Sequence, residues 1–189
     1  MGAYTADKEF KNIDFTGTPF EKGEYEQCTF SNCDLSNADI SGSIFSECDF
    51  INCNMSMAVM TATALRDVKF KDCKMLGINF EECNSFGFEV SFENCVLNHC
   101  IFHKMRLKNT RFKNTQLHEA DFSLSDLTNS VFENCDLYGA VFAGTILEKT
   151  DLRTAYNFNI DPESNRIKKA RFSSNNISGL LNKYDIRID

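Results

Sequence analysis

Every fifth residue from Phe10 is large and apolar. The series runs Phe10, Phe15, Phe20, Tyr25, Phe30, Leu35, Ile40, Phe45, Phe50, Met55, Met60, Leu65, Phe70, Met75 and Phe80, in a chain only 42% hydrophobic overall. It resumes at Phe92 and continues through Leu97, Phe102, Leu107, Phe112, Leu117, Phe122, Leu127, Phe132, Leu137, Phe142, Leu147 and Leu152. Two positions before each large residue the side chain is usually small: Cys33, Ala38, Ser43, Cys48 and Cys53 early, Thr110, Thr115, Ala120, Ser125 and Cys135 later. Polar residues fill the rest. A period of five fits neither the 3.6 of a helix nor the 2 of a strand, and a fixed self-similar period marks a repeat architecture. A four-sided coil satisfies it, with one pentapeptide per side and both the large and the small residue pointing inward.

Sorting the large residues by fours tests that reading. One side collects Phe10, Phe30, Phe50, Phe70, Phe92, Phe112 and Phe132; the opposite side collects Phe20, Ile40, Met60, Phe80, Phe102, Phe122 and Phe142. The Phe column stays in register across the interruption only if residues 81–91 hold two repeats plus two extra residues. A small bulge is therefore expected near 84–89, with Phe86 and Phe88 projecting and Gly87 easing the turn. At ~4.8 Å per coil, seven coils make a rod about 34 Å long.

The nine Cys fall in the small inward position, Cys83 among them if the first frame is carried on to Ser85. They read as small polarizable core residues rather than redox or metal groups. An odd number of Cys, with no secretory signal in MGAYTADKEF, argues against a disulfide framework and for a cytoplasmic protein. No stretch is long and apolar enough to predict a membrane span.

Units such as SNCDL, SNADI, CDFIN, EADFS and CDLYGAVF resemble the A(D/N)LXX motif of the pentapeptide-repeat family over about residues 6 to 157. The resemblance implies an all-β solenoid, a right-handed quadrilateral β-helix of about seven coils with a short helical C-terminal cap. Residues 1–157 would form the β-helix and 158–189 a capping or dimerisation segment. Within that segment Asp161, Pro162 and Glu163 read as a helix start, ISGLLNKY as a short amphipathic turn, and residues 186–188 as a strand. The segment is similar to the C-terminus of relatives of the Qnr quinolone-resistance group. That likeness implies a homodimer, with Leu180, Leu181, Tyr184, Ile186 and Ile188 as the candidate contact; a cap packed on its own rod is the other reading.

The net charge of −7 is unevenly spread along the chain. Glu24, Glu26, Asp34, Asp39, Glu47 and Asp49 fall between Lys22 and Arg66 with no base among them. Lys104, Arg106, Lys108, Arg111 and Lys113 then form a basic band, and acids alone follow from Glu119 to Leu147. Since sequence maps onto height in a solenoid, the rod is expected to be banded. Glu24, Asp34, Asp39, Glu47 and Asp49 are the candidate acidic interaction surface.

Candidate chemistry is thin. Cys95, His99, Cys100 and His103 have metal-like spacing, but the frame turns both Cys inward and both His outward. No phosphate loop, dinucleotide fingerprint, nucleophile elbow or zinc-protease motif occurs. No catalytic, cofactor or metal site is expected, and no enzyme. The reading is a non-enzymatic interaction scaffold with an unassigned protein partner. The alternative, implied by the Qnr-like resemblance, is a DNA mimic that binds DNA gyrase or topoisomerase IV and gives quinolone or toxin resistance. Neither reading calls for direct nucleic-acid or membrane binding.

Overall fold

A computed structural model of the chain describes residues 2–187. Among them run eleven short strands. The first six are β1 (Ala3–Ala6), β2 (Glu9–Lys11), β3 (Gly23–Glu26), β4 (Thr29–Ser31), β5 (Ile44–Ser46) and β6 (Asp49–Ile51). The others are β7 (Ala64–Arg66), β8 (Val68–Lys71), β9 (Val90–Glu93), β10 (Arg111–Lys113) and β11 (Val131–Glu133). All pair in parallel with the coil above or below, in two sheets ordered β1-β3-β5-β7 and β11-β10-β9-β8-β6-β4-β2. The register is that of the period: Phe10 lies beside Phe30, Phe30 beside Phe50, Phe70 beside Phe92 and Phe112 beside Phe132. The other two sides are built from single bridges such as Asp34↔Asn54 and Ile101↔Asp121. The result is a β-solenoid of about seven turns.

We number the four sides from the Phe10 column (side one) through the columns of Phe15, Phe20 and Tyr25. Each large residue lies on its counterpart one coil away. Phe30 and Phe50 stack at 4.7 Å between ring centroids, Phe80 and Phe102 at 4.7 Å, and Phe102 and Phe122 at 5.0 Å. Sides one and three meet edge-on across the axis, as Phe112 meets Phe122 at 6.0 Å and 86°. The rings thus use the two arrangements that the aromatic quadrupole favours. The smaller inward residues do more than fill space. Cys53 Sγ donates to the Phe30 carbonyl at 3.3 Å, Thr145 Oγ1 to that of Phe122 at 2.9 Å, and Ser130 Oγ to that of Leu107 at 2.7 Å. A short side chain bearing a donor therefore stitches one coil to the next. All nine Cys are free and buried.

The coil begins one position before the apolar series does, because Thr5 pairs with Tyr25. The bulge falls where the register required it. Asn84 still bridges to Ala64, and Val90 pairs with Val68, so five residues on one coil span what three span on the other. Gly87 takes φ +70° there. Phe86 projects, 78% exposed. Phe88 does not. It is partly buried against the core, with its ring edge-on to Phe80 at 6.3 Å.

The helical cap is corrected to isolated 3-10 turns, Ile177–Leu180 and Asn182–Tyr184. Asp161 Oδ1 does accept the Glu163 N–H at 3.0 Å, but as the cap of a coil corner. A helix N-cap and an Asx-turn use the same bond, which is why the sequence there reads as either. The ladder continues past it, with Arg166 bridged to Ile146 and Arg171 to Asp151. Asn165 occupies an inward position and substitutes for backbone: its amide donates to the carbonyls of Phe142 and Asp161, each at 2.9 Å, and accepts from Thr145 N at 2.8 Å. The 3-10 turn at 177–180 packs on Phe158 so closely that a Cβ on Gly179 would lie 2.5 Å from it. Ile186 and Arg187 lie in no strand, and Ile188 lies outside the described residues.

Candidate interaction surface

The outward residues have structural roles set by their place in the pentapeptide. The residue before the large one is often Asp or Asn, and its side chain accepts the N–H two positions on: Asp34 from Ser36 at 2.9 Å, Asp121 from Ser123 at 2.8 Å, Asp126 from Thr128 at 3.1 Å. The residue two after the large one turns the corner at positive φ, as at Asn32, Asn52, Asn94, Asn114 and Asn134. Asn tolerates that conformation better than most side chains. These corners also link vertically. Asn52 Nδ2 donates to Asn32 Oδ1 at 2.7 Å, Asn94 to Asp72 at 2.9 Å, Asn114 to Asn94 at 3.0 Å and Asn134 to Asn114 at 3.2 Å. In the sequence this column reads Asn12, Asn32, Asn52, Asp72, Asn94, Asn114 and Asn134, spaced by twenty except across the two-residue bulge, a signal the apolar frame passes over.

The five candidate acids fall on neighbouring coils but not on one side. Glu24 lies on β3 and Glu47 just past β5, on side four; Asp49 lies on β6, on side one; Asp34 and Asp39 belong to sides two and three. Together they ring the lower rod. Two are also tied down: Asp34 by Ser36, and Asp39 by the Lys22 ammonium at 2.6 Å. The Lys22 contact, followed by those of Ser41, holds the Asp39 carboxyl at about 2.

The basic band is less separate than its sequence implies. Lys108 pairs with Asp126 at 3.1 Å, Arg111 with Glu133 at 2.5 Å, and Lys113 with Glu93 at 2.7 Å. Each bond joins neighbouring coils, so residues about twenty apart in sequence meet and the bands are stitched together. The same geometry parts the Cys and His of residues 95–103. Cys95 Sγ donates to the Phe70 carbonyl and Cys100 Sγ to that of Met75, both in the core. His99 faces Glu119 at 3.4 Å and His103 faces Glu81 at 3.0 Å, both on the outside.

Of the candidate dimer contact, Leu180 is buried in its own rod and Leu181 partly so, whereas Tyr184 and Ile186 are exposed. Tyr184 Oη donates to Glu163 at 3.0 Å. No helix of the described residues is long and apolar enough to cross a membrane.

Residues 23–89 and 87–180 match the family model described as the pentapeptide repeat region. The chain belongs to the pentapeptide-repeat family. Among solved structures of pentapeptide-repeat proteins, a trypsin-treated variant of QnrB1, a plasmid-mediated fluoroquinolone resistance protein, superposes with a TM-score of 0.61. That match is 18% identical and covers 100% of both chains. A second trypsin-treated QnrB1 variant gives a TM-score of 0.54 at 18% identity, over 99% of this chain and 100% of that one. At such identity the likeness is one of fold. No curated protein matches the sequence.

Proposed function

We propose that this pentapeptide-repeat rod is a non-enzymatic interaction scaffold that binds a protein partner through its charged exterior. The observation that supports this reading is how the polar groups are used. The thiols and inward hydroxyls bond core carbonyls, the Asp carboxylates cap turns, and the Asn amides link corners. What remains for recognition is a rigid extended surface, the usual working part of a repeat protein. The base-free coils between Lys22 and Arg66 carry acids on all four sides and suit a basic partner. Immobilised protein, compared with a variant in which Glu24, Asp34, Asp39, Glu47 and Asp49 are neutralised, tests this. A cellular partner retained by the first and lost by the second supports it; partners held equally by both oppose it.

A second reading makes that partner a type II topoisomerase, with the acidic rod imitating duplex DNA. The whole-chain fold likeness to QnrB1 favours it, as does a ring of acids, since a duplex is charged all round. On this reading the protein acts in the cytoplasm as a homodimer joined at its C-terminal segment. A supercoiling assay with purified DNA gyrase, with and without the protein, tests it: inhibition supports the reading, and undiminished supercoiling opposes it.

A further inference from the structure

The last coils and the 3-10 turns that close them border a cleft of about 770 Å³ on side two. From its lining we infer that this cleft binds a neutral oligosaccharide. Its size falls in the range of small-ligand sites. Two tyrosine rings stand at its edge on adjacent coils, Tyr138 62% exposed and Tyr156 47% exposed. The Leu137 N–H bonds the Tyr156 carbonyl at 3.0 Å, which fixes the two coils against each other.

The polar side chains around the cleft divide into two kinds. Asn176 is spent on structure: its amide donates to the carbonyls of Leu152 at 2.9 Å and Ala155 at 2.8 Å, and accepts from Ser173 N at 3.0 Å. That side chain holds the wall in place. The side-chain amides of Asn159, Asn175 and Asn182 and the hydroxyls of Tyr138 and Tyr156 bond nothing among the described residues, and each lines the cleft. Every free amide offers a donor pair beside an acceptor.

Charge then selects the ligand. No Lys, Arg or His among the described residues lines the cleft, and Glu119 is its one carboxylate. A phosphate or carboxylate ligand would meet no cation and one like charge. A purely apolar ligand would bury the free amides without partners, which is unfavourable. An uncharged polyhydroxylated ring meets both demands. Its C–H face lies flat on a tyrosine, and its neighbouring hydroxyls donate to and accept from one amide.

NMR titration of the full chain with maltotetraose, cellotetraose and triacetylchitotriose tests this. At least one probe should shift the side-chain amide signals of Asn159, Asn175 and Asn182 and the backbone signals of Gly139 and Gly179. Tyr138→Ala and Asn182→Ala, both at exposed positions, should each weaken that binding about tenfold, whereas Tyr4→Ala at the other end of the rod should leave it unchanged. No shift with any probe at ~10 mM, well above a millimolar Kd, would overturn the inference. So would shifts that survive both cleft variants.

Discussion

The rings of Phe112 and Phe132 lie 4.7 Å apart with their planes 6° from parallel, and Phe92 stacks on the other face of Phe112 at 5.3 Å. Phe112 is thus enclosed above and below, and Phe102 and Phe122 meet it edge-on from across the axis. Phe112→Ala would leave a cavity that the flanking coils cannot close without breaking their own ladders. It is expected to cost about 3–5 kcal/mol, measured by denaturant unfolding. A loss under ~1 kcal/mol would be within the range of surface substitutions and would contradict the stacking.

The thiols give a pH prediction. Burial pushes the Cys48 thiol up to about 11 and those of Cys83, Cys100 and Cys135 up to about 12, from the ordinary 9.0. The fold therefore holds the uncharged form. Its stabilisation is complete below the unfolded value and is lost as pH rises through the folded values, so stability should fall between about pH 9 and 12. Maleimide labelling at neutral pH should be slow in the folded protein and reach all nine Cys in denaturant. Rapid labelling of most of them in the folded state would contradict the inward positions.

Asn165 supplies a third prediction. Asn165→Ala removes the acceptor of Thr145 N–H and the donor to two carbonyls at a buried place. The expected destabilisation is about 1–3 kcal/mol for each group left unpaired, read as a lower Tm. A Tm equal to that of the wild type would mean that water serves these groups as well as the side chain does.

What the sequence made legible was whatever apolarity marks. The Phe columns, the inward Cys and the two-residue bulge follow from spacing alone, because a slipped register would have broken the column from Phe70 to Phe92. Where polar residues take over the same geometry the signal fades. Thr5 begins the coil with a hydroxyl in place of a ring, Asn165 continues it with an amide, and Asp161 caps a corner with the bond a helix would use. Phe88 packs against the core with its ring edge-on to Phe80, a long-range contact that no local pattern encodes. The cleft at Tyr138 and Tyr156 joins repeat residues to turns beyond residue 174, which only the closed fold brings together.

The exposed end of the C-terminal segment bears on the proposed homodimer. Tyr184 and Ile186 are exposed beside the half-buried Leu181, and covering them against a symmetry mate would remove apolar surface from water. Sedimentation of the intact chain is expected to show a dimer, and deletion of residues 174–189 to yield monomer or aggregate. A monomeric intact chain would assign the segment to capping alone.

If the acidic rod imitates duplex DNA, its hold on a type II topoisomerase is electrostatic. The measurement is the inhibition of DNA gyrase supercoiling at low and high salt by three proteins: the wild type, the variant lacking Glu24, Asp34, Asp39, Glu47 and Asp49 charges, and one lacking Lys104, Arg106, Lys108, Arg111 and Lys113. Inhibition is expected, and it should weaken steeply with salt. It should weaken further in the acid-neutralised variant and strengthen in the base-neutralised one, which also frees Asp126, Glu133 and Glu93 from their partners. Inhibition indifferent to both charge changes, or none at micromolar protein, would contradict DNA mimicry and point to a different partner.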